Sequence, residues 1–194
     1  MFSIRLSTSS RFLSFLGSAV AKPEPPFHQQ VGAELYMRLG HAITQWAHVE
    51  NALLKIFWKL QGEPVFRITS AIFHSPISDQ VRIDMVNNVA SFLLKKSPLL
   101  EEWEKLNERA NRHLRKRNKL AHRTALHDPQ DPSKSVLRPG LFDVVRTNMG
   151  VTTDTLNAKE VEEIRQSFSR LAQDLEDFAQ KIPPPEKLPP KPTT

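Results

Sequence analysis

Apolar residues recur at spacings of three and four through most of the middle of the chain. Leu35, Leu39, Ala42, Ile43, Trp46, Val49, Leu53, Phe57 and Leu60 keep this rhythm, which predicts a long amphipathic helix over residues 33–61, closed by Gly62 and Pro64. A short helical piece with Phe66, Ile68, Ile72 and Phe73 is expected over 65–74. A further helix is expected from about Ser75-Pro76-Ile77-Ser78-Asp79, with Val81, Met85, Val89, Phe92 and Leu93 as its buried face and Pro98 as its break. Leu99, Trp103, Leu106, Ala110, Leu114 and Ala121 mark a fourth helix over 99–124. Val161, Ile164, Phe168, Leu171, Leu175 and Phe178 mark the most regular one, over 158–182.

Between these last two helices the helical period is lost. Residues 141–145 read as a strand, with 149–153 as its partner across Asn148. Several amphipathic helices with short connections predict an all-α antiparallel bundle of four or five helices, with a small β-hairpin inserted before the last helix. The bundle domain is expected over 27–182. Residues 1–26 form a leader with Arg5, Arg11 and Lys22, an apolar run at 12–21 and a proline cluster at 23–26, like a weak targeting segment. Its apolar run is too short to span a bilayer. Residues 183–194 are a proline-rich tail, expected to be disordered. A cytoplasmic location is expected, with export through residues 1–21 as the alternative.

Composition narrows the chemistry. The chain has no cysteine, which removes thiol catalysis, disulfides and cysteine-bound metals. Its 27 Lys and Arg against 21 Asp and Glu leave a net charge of +6, which inclines it toward polyanions. Much of the positive charge falls between Arg109 and Arg123. No phosphate-binding glycine loop or serine-nucleophile elbow is present. His113 lies near an apolar edge and reads as a partly buried, satisfied residue. His122, His127 and Asp128 have no strong metal-ligand spacing, so neither a metal nor a cofactor is expected.

Two charged residues fall inside apolar stripes. On a helical wheel with Trp46 at zero, Glu50 lies at about 40°, between Phe57 and Ile43. With Trp103 at zero, Arg117 lies at about −40°, between Ala110 and Leu106. A buried carboxylate needs a donor, so Glu50 and Arg117 are expected to pair across the bundle. The alternatives are a purely structural ion pair, or an arginine reaching outward near its helix end. His122 follows Arg117 by five positions, about 140° round the helix. Either the helix ends or distorts near Leu120, or a second copy supplies the missing group.

The stretch Arg117-Asn118-Lys119-Leu120-Ala121-His122 resembles the motif of the HEPN superfamily (higher eukaryotes and prokaryotes nucleotide-binding): an arginine, a polar residue, a short spacer and a histidine. The words around Trp46, Glu50, Asn51 and Leu53 also resemble that family's aromatic-then-acid helix. The resemblance covers roughly 33–182. It implies a metal-independent endoribonuclease, of toxin–antitoxin, phage-defence or related systems, or a non-catalytic adaptor for RNA, nucleotide or a protein. In the enzyme, Arg117 and His122 would be catalytic, with Asn118 and Glu50 in support. Arg112, Arg115, Lys116, Lys119 and Arg123 would attract RNA. The implied partners are RNA, a second copy meeting through the fourth helix, and an antitoxin or activator protein.

Overall fold

The computed structural model describes residues 32–128, 130–131, 134–140 and 154–184. These form five helices and a small sheet: α1 (Ala33–Leu60), α2 (Phe66–His74), α3 (Asp79–Leu93), α4 (Leu99–Ala121), β1 (Arg123–Leu126), β2 (Val136–Pro139), β3 (Leu156–Asn157) and α5 (Ala158–Lys181). The molecule is an all-α bundle with a β insertion between α4 and α5. The predicted hairpin of 141–145 and 149–153 lies outside the described residues.

α1 packs most extensively on α5, while α3 and α4 close the other side of the bundle and α2 rests on α1. The α1–α5 seam follows from the three-and-four spacing in both sequences, which puts one broad apolar stripe on each helix. Trp46 meets Phe168 edge-on at 5.3 Å between ring centroids. Trp103 of α4 tilts against Phe178 of α5 at 5.7 Å. The Lys55 ammonium donates to the Glu176 carboxylate at the rim of the seam.

The helix ends are set by local chemistry. Gly62 takes φ 85°, where a side chain would strain the backbone, and turns the chain off α1. Asn157 and Glu160 form a reciprocal capping box at the start of α5, with bonds of 3.0 and 2.7 Å.

Two expectations need correction. The fourth helix stops at Ala121, one turn before the predicted end, and the chain enters β1 directly. β1 pairs antiparallel with β2, and β2 with β3, with Arg123 opposite Pro139 and Val136 opposite Asn157. Leu137, fully buried, seats this sheet on the core. The inner face of α3 also differs. Ile83, Val86 and Ala90 are buried, whereas Val81, Phe92 and Leu93 are exposed. α3 carries apolar residues on two flanks; of the expected face Met85 and Val89 still pack at the edge of the core. No described helix is long and apolar enough to cross a membrane.

The core and the cap differ in scale. Phe168→Ala, at a fully buried ring, should cost about 3–5 kcal/mol of unfolding free energy. Asn157→Ala should cost about 1 kcal/mol. Urea titration followed by circular dichroism measures both, and a larger loss for the cap would contradict this reading.

Candidate functional site at the end of the fourth helix

α1, α3 and α4 converge on a compact set of four charged side chains. Glu50 comes from α1, Asp79 and Arg82 from the first turn of α3, and Arg117 from the last third of α4. Arg82 Nη1 donates to Glu50 Oε1 and to Asp79 Oδ1, both at 3.0 Å. Arg82 Nε also donates to the Pro76 carbonyl at 3.2 Å. Arg117 Nε stands 3.5 Å from Asp79 Oδ2. That distance is an ion pair without a hydrogen bond, and both atoms are otherwise buried without a hydrogen-bond partner.

The expected direct pair of Glu50 with Arg117 is therefore replaced by a relay. The carboxylate nearest Arg117 is Asp79, and the guanidinium that holds Glu50 is Arg82. Both new members sit on the true inner flank of α3, at about 20° and −40° from Val86 on a wheel. Asp79 also lies at the N-terminus of α3, where the helix dipole favours a negative charge.

Glu50 is pushed above the usual carboxylate range. Burial is the largest cause, followed by a hydrogen bond to the Asp79 carboxyl and repulsion from its charge; Arg82 and Arg117 act in the opposite sense. When Glu50 is ionised, two carboxylates balance two guanidiniums. When it is protonated, the cluster carries one net positive charge, centred between Arg82 and Arg117.

Around this cluster the other residues of the motif take separate positions. Arg117 Nη1 donates to the Asn118 side-chain oxygen at 3.2 Å, so these neighbours hold one another. The Arg117 side chain is 30% exposed. His122 is the C-cap of α4, exposed, with its backbone N–H donating to the Asn118 carbonyl at 3.1 Å. The helix stays regular up to Ala121. It ends there, one residue past Leu120, so His122 follows as a non-helical C-cap with φ −104° and ψ 6°.

The basic run divides into three kinds of residue. Arg115 and Lys116 are exposed and make no ion pair among the described residues. Arg112 is exposed but spans one helical turn to Glu108 at 2.7 Å. Lys119 and Arg123 converge on Asp154, each at 2.6 Å. Arg123 does not reach solvent as an RNA contact would: its side chain is 2% exposed. It donates to the carbonyls of Leu137 and Asp154 and so locks β1 to β2 and to the approach to β3. A hydrogen bond from Lys119 leads the causes that hold the Asp154 carboxyl below its ordinary range.

His113 and His127 each have a partner within the fold. His113 Nδ1 lies 2.7 Å from the Arg109 carbonyl and its ring tilts against Phe168; burial pushes its pKa down. His127 stands against Tyr36, with Ser135 Oγ 3.2 Å from Nδ1. Asp128 is used in a turn, accepting from the backbone of Gln130 and Asp131. Among the described residues no three His, Asp or Glu side chains gather as a metal-binding set.

Comparison with protein-family models, with curated proteins and with solved structures finds no match to this chain.

The relay predicts a titration. Carbon-detected NMR should place the Glu50 midpoint above 4.5, and Asp79→Asn should lower it. A raised carboxyl pKa in the folded state means that this group's contribution to stability is greatest below the unfolded value. It is lost as pH rises through the folded pKa. Glu50→Gln should remove that slope from the stability–pH curve. An unchanged midpoint in Asp79→Asn would contradict the coupling.

Proposed function

We propose that this chain is a metal-independent endoribonuclease of the HEPN type, active as a pair of identical copies. The observation that carries the reading is the setting of Arg117. A half-buried guanidinium, its Nε facing a carboxylate without a hydrogen bond, stands at the end of a basic helix that an exposed histidine closes. An arginine so placed can take a phosphate into its remaining donor positions.

In the proposed reaction the RNA 2′-hydroxyl loses its proton to an imidazole and attacks the adjacent phosphorus. The new 2′-O–P bond closes a 2′,3′-cyclic phosphate as the P–O5′ bond breaks. A second imidazole returns a proton to the departing 5′-oxygen. His122 of each copy supplies one of these groups. Arg117 binds the phosphate and stabilises the charge that develops on it. Asp79 and Arg82 hold Arg117 in place, with Glu50 behind them. Arg115 and Lys116 are the free cations best placed to draw in the RNA backbone.

A second reading is a non-catalytic adaptor that binds RNA, nucleotide or a protein. The ion pair of Arg117 with Asp79 favours it, because a neutralised arginine binds phosphate less strongly. A toxin or phage-defence role, with an antitoxin or activator as partner, belongs to the first reading.

The deciding measurement is cleavage of RNA in excess EDTA. Wild type should leave 2′,3′-cyclic phosphate ends. His122→Ala and Arg117→Ala should each lower the rate by about 10²- to 10⁴-fold while circular dichroism stays unchanged. Equal cleavage by both variants would remove the nuclease reading, and binding without cleavage would select the adaptor. Binding should also weaken with salt. Removing Arg115 and Lys116 together should reduce the slope of log affinity against log salt by about 1.4 for single-stranded RNA; an unchanged slope would exclude them from the contact.

A further inference from the structure

The small sheet has one side on the core and one side in solvent. Arg123, with its side chain 2% exposed, and Leu137, fully buried, lie on the inner side. Thr124 pairs with Arg138 across β1 and β2, and both are exposed. Cross-strand partners share a face, so the Thr124 hydroxyl and the Arg138 guanidinium stand side by side on the outer one. The Arg138 side chain makes no hydrogen bond or ion pair among the described residues. β1 and β2 contain no Asp or Glu. Two carboxylates that flank the sheet are engaged elsewhere: Asp131 with Lys134 at 3.1 Å, and Asp154 with Lys119 and Arg123 at 2.6 Å. The five N–H donors of Arg138 are open to a ligand.

Arg138 lies beside the histidine that closes α4. β1 begins directly after His122, which puts the Thr124 backbone at most about 7 Å from it. On the opposite strand Gly140 follows Arg138 by two residues and packs on the same end. A side-chain carbon at Gly140 would come within 3.3 Å of the His122 carbonyl oxygen. His122 thus has unpaired cations on two sides. Arg115 and Lys116 precede it on α4, with Arg115 about 10 Å back along the helix axis. Arg138 follows it on the sheet. Cations on one side alone would attract a polyanion without fixing which part of it reaches the histidine. Cations on both sides hold a chain of phosphates across it.

We propose that the outer face of the sheet, through Arg138 and Thr124, is a phosphate subsite for single-stranded RNA passing His122. The inference deepens the nuclease reading and rests on it for the choice of polyanion. A guanidinium takes two phosphate oxygens at once, and the neighbouring threonine hydroxyl donates a further bond. Such contacts carry no base information; they fix the position of the backbone. A single strand fits the reaction because the attacking 2′-oxygen must come into line with the departing 5′-oxygen, which a regular duplex prevents. The inner face of the same strands supports the outer one. Arg123 donates to the Leu137 and Asp154 carbonyls and so fixes the strand on which Arg138 stands. One arginine anchors the sheet from within and the other presents its charge to solvent.

Fluorescence anisotropy of a labelled 2′-O-methyl RNA strand, which cannot be cleaved through its 2′-oxygen, tests the subsite on the full chain. Arg138→Ala should weaken binding and reduce the slope of log affinity against log salt by about 0.7, the share of one phosphate. Arg138→Lys should keep the slope. Arg170→Ala, which removes an exposed cation of α5, should leave it unchanged. An unchanged slope in Arg138→Ala, or an equal reduction in Arg170→Ala, would overturn the proposal. On a cleavable strand Arg138→Ala should raise KM and leave kcat nearly unchanged, because the contact is the same before and during the reaction. A fall in kcat with KM unaltered would also overturn it. Binding that depends on Arg138 without any cleavage supports the subsite and removes only the nuclease reading. Cleavage with neither KM nor salt slope dependent on Arg138 does the reverse, and a wild type that binds no strand removes both.

Discussion

Burial of one side of α1 against α5 is the contact from which the other features take their positions. The two longest helices present matched apolar stripes, and the Trp46–Phe168 contact sits within their seam. With that pair fixed, α3 and α4 each turn an apolar flank inward. The polar groups on those flanks are then carried inward as well. Asn87 finds the Trp103 indole at 3.0 Å. Asp79, Arg82 and Arg117 find one another. The charged cluster is thus a consequence of packing, and its members had to be mutually satisfying for the bundle to close.

The cluster also explains why α3 begins where it does. Its N-cap, Ser78, makes no side-chain cap bond. The first turn is anchored instead by Arg82 reaching back to the Pro76 carbonyl and across to Asp79 and Glu50. A turn held through tertiary ion pairs couples local helix order to the protonation of a carboxyl on another helix. That coupling is what sets this group apart from the exposed one-turn pairs, such as Lys105 with Glu101, which solvent screens.

The bundle was legible in the sequence because the three-and-four rhythm of α1, α4 and α5 has one dominant apolar side. Glu50 and Arg117 were legible as inward charges for the same reason. What periodicity could not resolve was α3, where the buried side is Ile83, Val86 and Ala90, Met85 and Val89 pack at its edge, and Val81 and Phe92 face outward. Asp79 fell outside the expected face, while Arg82 lay within it between Val89 and Leu93 with nothing local to name its partners, so the true pairing pattern was lost. The sheet was hidden by its size: strands of four, four and two residues are too short to show an alternating pattern. Arg123 looked like one more cation of a basic run, because nothing local to it announces a partner 31 residues away.

Asp154 gives that distant partnership a mechanical meaning. It precedes the capping box of α5 by three residues and takes Lys119 from the last turn of α4 together with Arg123 from β1. The point where the chain leaves α4 is thereby moored to the point where it enters α5. His122 lies between the two basic residues of that mooring, so its placement is inherited from the register of a helix that begins 36 positions later. A slip of α5 by one residue would displace the histidine without altering anything in its own neighbourhood of sequence.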